Sequence, residues 1–414
     1  MRGKNFLLGL LTVGHAAEHW LQAIFGPILP LLKDAVPMTY QQVGWLIAMR
    51  QLVGAALNLG AGVVVDRVGR RRLFLAIGIA TSVLAYLLMT LVPMKQVNSY
   101  LLLLILVGIT GVSSGLWHAP AMSLLAEIFG KRKGFALGVH HVGPSFGEFL
   151  GAAISGAFLG YLMNTLSLST DAAWRLDLAI LLSFPAVAAL SIFLLVPNVA
   201  GHEGTPINLG NIARAMLVNP KMLALMSVES LRSMSHMMFQ GFLPLYLADT
   251  LDMDPPQVGL YVGVSTVLGV VASPVIGAAS DRFGRKTVLA IGLGSAGVFA
   301  LAITAFGPGL ALLAVLALIG CFFYPLRPVV FATAAEIPPP DMGGTTVGFV
   351  FGVNQAVAAF ALPLAGFVAD RFHITYVFYV VAAFTFASTI LAVVTLPGRA
   401  PRPAPGAVGV GRAR

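Results

Sequence analysis

The sequence predicts an all-α membrane protein: about twelve transmembrane helices in two pseudo-symmetric six-helix bundles, with both termini in the cytoplasm. Three observations predict it. The 414-residue chain is 58% hydrophobic and 10% charged, against about 25% charged residues in a soluble domain, and its mean hydropathy is +0.89. Its apolar runs are long enough to cross a bilayer, which takes about 20 residues. A short signature occurs twice, as Gly62-Val-Val-Val-Asp66-Arg67-Val-Gly69-Arg70-Arg71 and as Gly277-Ala-Ala-Ser-Asp281-Arg282-Phe-Gly284-Arg285-Lys286, each time between two such runs.

The runs fall near 6–32, 40–65, 73–93, 99–128, 134–162, 174–197, 221–248, 256–280, 288–307, 310–336, 343–369 and 373–397. The first is not expected to be a cleaved signal, because it lacks a clean apolar centre and holds His15, Glu18 and His19. The polar segment 198–220 separates an N-terminal bundle, 1–197, from a C-terminal bundle, 221–397, and reads as a cytoplasmic loop. The tail 398–414, rich in proline and glycine, reads as disordered. Gly147 with Gly151 and Gly156 with Gly160 are expected where helices pack closely. A single cysteine, Cys321, excludes a disulfide framework and a cysteine-based zinc site.

Orientation follows from the basic residues. With the N-terminus inside, Arg67, Arg70, Arg71, Arg72, Lys131, Arg132, Lys133, Arg282, Arg285 and Lys286 all fall in inner loops. The outer loops keep Lys33, Lys95, Arg175 and Arg371, and carry acids that include Asp34, Asp249 and Asp370. This obeys the positive-inside rule. The net charge of +9 therefore borders a membrane and forms no nucleic-acid surface. The expected partners are a small-molecule substrate, protons and the lipid bilayer, with no nucleic acid and no cofactor. The expected setting is a monomer, multi-pass in the inner (plasma) membrane.

An ionisable side chain at membrane depth costs on the order of several kcal/mol and by default marks a pathway or proton relay. Many occur here. His15, Glu18, His19 and Gln22 recur at steps of three and four on one face of the first span, and Glu229, Arg232, Ser233, His236 and Gln240 repeat the stripe on the seventh. Aligning the halves puts Glu229 on His15 and Arg232 on Glu18. Arg50 stands about 24 Å from the Asp66 end of its helix at about 1.5 Å per residue, in the outer half of the membrane. His118 and Arg327 precede Glu127 and Glu336 by the same interval, near the midplane. In the fifth span His141, Ser145 and Glu148 share a face, while His140 lies off it and reads as a packed residue.

Arg50, Arg232 and Arg327 are fixed positive charges suited to a bidentate grip on a carboxylate, phosphate or phosphonate. With His118, Gln22, His236 and Gln240 they form the expected substrate-binding set. Glu18, His15, His19, Glu229, His141 and Glu148 form the expected proton-coupling set. The reading is a proton-coupled carrier of a small anionic or zwitterionic organic solute. An alternative uses His15, Glu18, His19, Glu229 and His236 as a nitrogen and oxygen site for a divalent metal ion. Buried arginines would repel a bare cation and suit an anionic metal chelate. His15-x-x-Glu18-His19 also matches a pattern of some zinc proteases, but no distant acidic ligand accompanies it, and an enzyme is not expected.

Over nearly its whole length the chain resembles the major facilitator superfamily: the spans, the central loop, and the signature G-x-x-x-D-R-x-G-R-[RK] after the second and eighth spans. The resemblance implies a secondary transporter whose two bundles rock around a central cavity lined by the first helix of each half, giving alternating access. It implies gating roles for Gly62, Asp66, Arg67, Gly69 and Arg70 with Glu127, and for Asp281, Arg282, Gly284 and Arg285 with Glu336. Asp66 would face the N-terminus of the eleventh span, at Gly343 and Gly344, where the helix dipole favours a negative charge. Arg67 or Arg70 would pair with Glu127 as a latch that breaks on inward opening. The stretch from Gly138 through Gly143-Pro144 to Gly147-Glu148 matches the family's exporter motif in part, a lean towards drug/H+ antiport. The arginine usual in the fourth span of drug exporters is missing, with Val107 and Gly111 at the candidate positions.

Overall fold

The computed structural model describes residues 3–197, 218–336 and 352–396, without the side chains of 59–68, 131, 133, 331, 335 and 336. The N-terminal half consists of α1 (Lys4–Ala23), α2 (Phe25–Ala35), α3 (Tyr40–Val68), α4 (Arg71–Met89), α5 (Ser99–Phe129), α6 (Lys133–His140), α7 (Val142–Gly160), α8 (Thr170–Leu181) and α9 (Ser183–Leu195). The C-terminal half consists of α10 (Pro220–Asp249), α11 (Pro255–Phe283), α12 (Arg285–Ile303), α13 (Leu310–Phe323), α14 (Leu326–Glu336), α15 (Ala361–Arg371) and α16 (Thr375–Thr395). A helical turn pair at 352–359 leads into α15. No strand occurs among the described residues.

Nine helical segments among the described residues are long and apolar enough to cross a membrane. The other three expected spans, α1 with α2, α3, and α10, are helical as well. The loop 198–217, Gly343, Gly344 and the tail lie outside the described residues.

Several spans expected to be continuous are broken, and proline explains where. A proline offers no N–H to the carbonyl four residues back, and its ring clashes with it. Helices end at Ala23, His140, Leu181 and residue 359, and Pro27, Pro144, Pro185 and Pro363 stand four positions beyond each end. Between α13 and α14 the turn contains Tyr324 and Pro325, and Pro328 stands four positions after Tyr324. A carbonyl freed this way needs another donor in a bilayer. Trp20 Nε1 supplies one to Leu181 O at 3.1 Å.

Within the first half α1 packs on α7 and α9, and α5 packs between α3 and α4. In the second, α16 packs on α10 and α12, and α11 on α13. The halves meet along two seams, α3 against α15 and α7 against α11. Both seams are tight at the end predicted to face outwards. A Cβ on Gly44 would lie 2.4 Å from Leu362 O, and one on Gly366 would lie 2.3 Å from Tyr40 O. Glycine is what lets the backbones approach so closely.

Polar bonds fasten the same end. Asp370 on α15 accepts from the backbone N–H of Tyr40 at 2.8 Å and of Gln41 at 2.9 Å, the first residues of α3. The Tyr40 hydroxyl donates to Asp249 at 2.8 Å, and Lys33 Nζ stands 3.1 Å from that carboxylate. Burial works against the Lys33 charge, but the bond to Asp249 and the neighbouring Asp34 outweigh it and raise its pKa. At the opposite end a Cβ added to Gly134, Gly138 or Gly277 would meet nothing within 4 Å. The two halves are therefore zipped at one end, while those three glycine positions stand open at the other.

Candidate functional site

A cavity lies between the halves, with about 890 Å³ of space free of protein atoms, part of it open to solvent. Its polar wall is formed by Gln22, Arg50, Gln51, Tyr86 and Glu148 from the first half, and by Gln240, Ser265, Thr266 and Tyr324 from the second. The rest is apolar, including Phe25, Met237 and Val262.

Behind the N-terminal wall lies a network that spans several helices. The spacing of α1 aims His15, Glu18, His19 and Gln22 to one side. Glu18 is fully buried, and its Oε1 accepts from Gln22 Nε2 at 3.1 Å. Arg50 on α3 brings Nη2 to 3.7 Å from the same oxygen, and its Nη1 stands 3.5 Å from the Tyr86 hydroxyl on α4. His19 Nε2 lies 3.3 Å from Glu18 Oε2, and its Nδ1 lies 2.8 Å from Glu148 Oε1 on α7. The ring of His15 touches those of His19, His118, His140, His141 and Trp117. His118 Nδ1 donates to the backbone carbonyl of Ser114 at 3.0 Å.

The C-terminal stripe folds onto itself. Arg232 donates from Nε to Glu229 Oε2 at 2.6 Å and from Nη2 to Oε1 at 2.5 Å, a bidentate pair. Ser233 Oγ donates to Glu229 Oε1 at 2.9 Å. All three residues are buried on α10. His236 meets the rings of Tyr324 and Phe323 edge-on. Gln240 Nε2 donates to the Tyr324 hydroxyl at 2.7 Å. Tyr324 also faces Glu148 of the other half, and Arg327 on α14 lies within electrostatic reach of Glu229, Glu148 and Tyr324.

The expected substrate set is thus divided. Gln22, Arg50 and Gln240 stand on the cavity wall, joined there by Glu148 from the proton-coupling set. Arg232 closes on Glu229, and neither residue lines the cavity. His118, His236 and Arg327 stand off the wall. The five-residue metal set is divided as well. Among the described residues, His15, His19 and His118 bring ligand atoms together, whereas Glu229 and His236 belong to the other half.

At the inner end, Glu127 pairs with Arg71, Nη1 to Oε2 at 2.5 Å. The expected partner Arg70 is exposed, because it caps α4 from outside while Arg71 begins the helix and turns inwards. Asp66, Arg67 and Glu336 lie outside the described side chains, and Gly62 falls in the same stretch as the first two. In the second signature Arg285 Nη2 lies 3.4 Å from Asp281 Oδ1, and Arg282 stacks over Phe283. Gly69 at φ 65° and Gly284 at φ 95° hold the two turns in the left-handed region that favours glycine. Tyr86, Gln51 and Tyr324 lie outside the sequence-predicted site residues, and Arg71, a signature residue, takes the place expected of Arg67 or Arg70 beside Glu127. The Tyr324-Pro325 pair, with Pro328 beyond it, was the readable sign of a break that would expose a polar tip.

Two packed sets of long apolar helices, with a polar cavity at their junction and ionisable groups at depth, define a multi-pass membrane transporter. The sequence pattern of the Major Facilitator Superfamily matches residues 11–228 and again 225–411, and the chain belongs to that family. It is 24% identical over 370 residues to the uncharacterized MFS-type transporter YfnC of Bacillus subtilis (strain 168), covering 86% of this chain and 85% of the relative. It is 23% identical over 389 residues to the fosmidomycin resistance protein of Escherichia coli (strain K12), covering 91% and 89%. A solved structure of a D-xylose-proton symporter superposes with a TM-score of 0.75 at 18% identity, covering 96% of this chain and 99% of that one, a likeness of fold. The family consists of transporters, not enzymes.

Proposed function

We propose that the chain is a proton-coupled secondary transporter of a small anionic or zwitterionic organic solute. In this reading it works by alternating access, as a monomer in the inner membrane with cytoplasmic termini. One observation carries it: the Arg50 guanidinium stands on the cavity wall, 3.7 Å from a fully buried carboxylate, Glu18. That pair is looser than the bidentate grip an arginine makes on a well-placed carboxylate or phosphonate. An arriving anion can therefore draw Arg50 towards itself. Glu18 is then left buried with a weakened counter-charge, and taking a proton relieves that state. Solute and proton each alter the other's affinity, and such coupling is reciprocal.

Glu148 extends the link across the junction, since it meets His19 of one half and faces Tyr324 of the other. A proton arriving there changes a contact between the two bodies that must move. The zipped outer end and the open glycine positions at the inner end fit one of the two states of a rocking cycle. The Escherichia coli relative named for fosmidomycin resistance supports a small organic acid as solute.

The test is flux into proteoliposomes under an imposed pH gradient, with a panel of carboxylates, phosphonates including fosmidomycin, and zwitterions. Gradient-driven flux of at least one anion is expected. Arg50→Ala should reduce it by about tenfold or more, equivalent to about 1.4 kcal/mol. Arg50→Lys should recover little, because an ammonium cannot form the two-bond grip. Gradient-driven flux confined to cations, or undiminished anion flux in Arg50→Ala, refutes the proposal.

A further inference from the structure

We infer that the N-terminal half contains a binding site for one borderline divalent transition-metal ion, such as Zn2+, formed by His15, His19 and His118. A ring nitrogen from each lies within 4.8 Å of the other two. Ligand atoms of a tetrahedral zinc stand about 3.3 Å apart, given bonds of about 2.0–2.1 Å. Small rotations of three side chains would close the set.

The hydrogen bonds orient these rings as ligands. The Ser114 carbonyl can only accept, so His118 Nδ1 carries the hydrogen of that bond, and the neutral ring presents its lone pair at Nε2. The Glu148 carboxylate fixes His19 in the same way through Nδ1. Metal-bound histidines characteristically donate their other nitrogen to a carboxylate or a backbone carbonyl. Both kinds of acceptor are present here. His15 is only 2% exposed, and neither of its ring nitrogens has a hydrogen-bond partner among the described residues. A buried polar group in that state is costly, and a metal bond would supply a partner for one of the two nitrogens.

Negative charge on the histidine side comes from Glu18, and Arg327 also lies within electrostatic reach of His118. Glu18 turns Oε2 towards His19 at 3.3 Å, while Arg50 approaches the other oxygen, Oε1. Three imidazoles with a carboxylate alongside favour Zn2+, Co2+ or Ni2+ over Mg2+ or Ca2+. His140 is not a ligand in this reading. Its ring stacks on His15 at 4.3 Å with planes 22° apart, so the in-plane lone pairs run side by side. The inference does not rest on the transport reading, because binding is measured on the purified chain without any flux.

The experiment uses the full-length protein in detergent, free of any added histidine tag. Zn2+ binding is measured by titration, Co2+ by visible absorption, and the zinc coordination shell by X-ray absorption on the unaltered protein. One equivalent of metal, a low-coordinate cobalt spectrum and three imidazoles in the first shell are expected. His15→Ala and His118→Ala should each weaken binding by at least about tenfold. His140→Phe, which keeps the stack, and the surface change His373→Ala should leave it unchanged. A shell with fewer than three imidazoles, no stoichiometric binding, or full binding in the His15→Ala/His118→Ala double variant overturns the site. The imidazoles are counted on unaltered protein, so misfolding of a variant leaves that count unaffected.

Discussion

On α10, Glu229 finds Arg232 three residues along its own helix and closes on it with two bonds. On α1, the position three residues beyond Glu18 is Leu21, so Glu18 reaches to Arg50 on α3 and Gln22 and His19 on its own helix. Both stripes have helical spacing, and the acid of each is buried. The first takes its hydrogen bonds from Arg232 and Ser233 on its own helix, with Arg327 of α14 in electrostatic reach. The second keeps a hydrogen bond from Gln22 on its own helix, but its counter-charge Arg50 and the His19–Glu148 contact hold only while α1, α3 and α7 keep their places. A charge whose counter-charge sits on another helix senses helix movement more directly than one clasped within its own turn.

The largest expected effect tests the clasp. Arg232→Ala leaves Glu229 buried without its partner, a change that costs about 3–5 kcal/mol. Thermal unfolding in detergent should show a clear loss of stability, much greater than for Arg50→Ala, whose site borders the cavity. Indistinguishable melting of Arg232→Ala and the parent would remove the distinction between the stripes.

Next comes proton coupling. In proteoliposomes Glu18→Gln should reduce pH-gradient-driven accumulation by about tenfold or more, as for loss of a working acid or base. Glu229→Gln, corrected for the amount of folded protein, should retain the coupling within about twofold. Equal uncoupling by both variants would show that the clasp opens during the cycle and that the two stripes share the work.

The smallest effect sharpens the comparison by disturbing helix position alone. Asp370→Asn weakens a charged cap on the first amides of α3, worth about 1 kcal/mol. Hydrogen exchange measured by mass spectrometry should quicken at the start of α3 and around Arg50, with 229–233 on α10 unchanged. Matching acceleration in α10 would mean that its clasp also depends on the neighbouring helices.

Much of this architecture was legible in the chain. Apolar length marked nine of the spans, the repeated signature marked the two halves, and helical spacing marked both polar stripes. The helix breaks were legible in principle, since Pro27, Pro144, Pro185 and Pro363 each point to a carbonyl four residues earlier. What spacing could not tell was which acid would be clasped within its own helix, since each stripe reaches the cavity wall only through its glutamine, Gln22 or Gln240. Glu229 and Glu18 look alike until Arg232 takes one and leaves the other. Nor could it separate Arg70 from Arg71 as the partner of Glu127, because that depends on the rotation of α4 after the Gly69 turn. Tyr86 and Tyr324 stayed hidden inside apolar runs, where an aromatic residue ordinarily means packing.

The bond between Asp370 and α3 has one further consequence. Its acceptor is a side chain, but its donors are main-chain amides. Any residue other than proline could stand at positions 40 and 41 and still donate. Recognition there is one-sided: side-chain identity at 40 and 41, proline apart, does not enter it, whereas the acceptor is the side chain of residue 370. Drift at 40 and 41 would be silent for this fastening, so residue 370 alone holds the information for it.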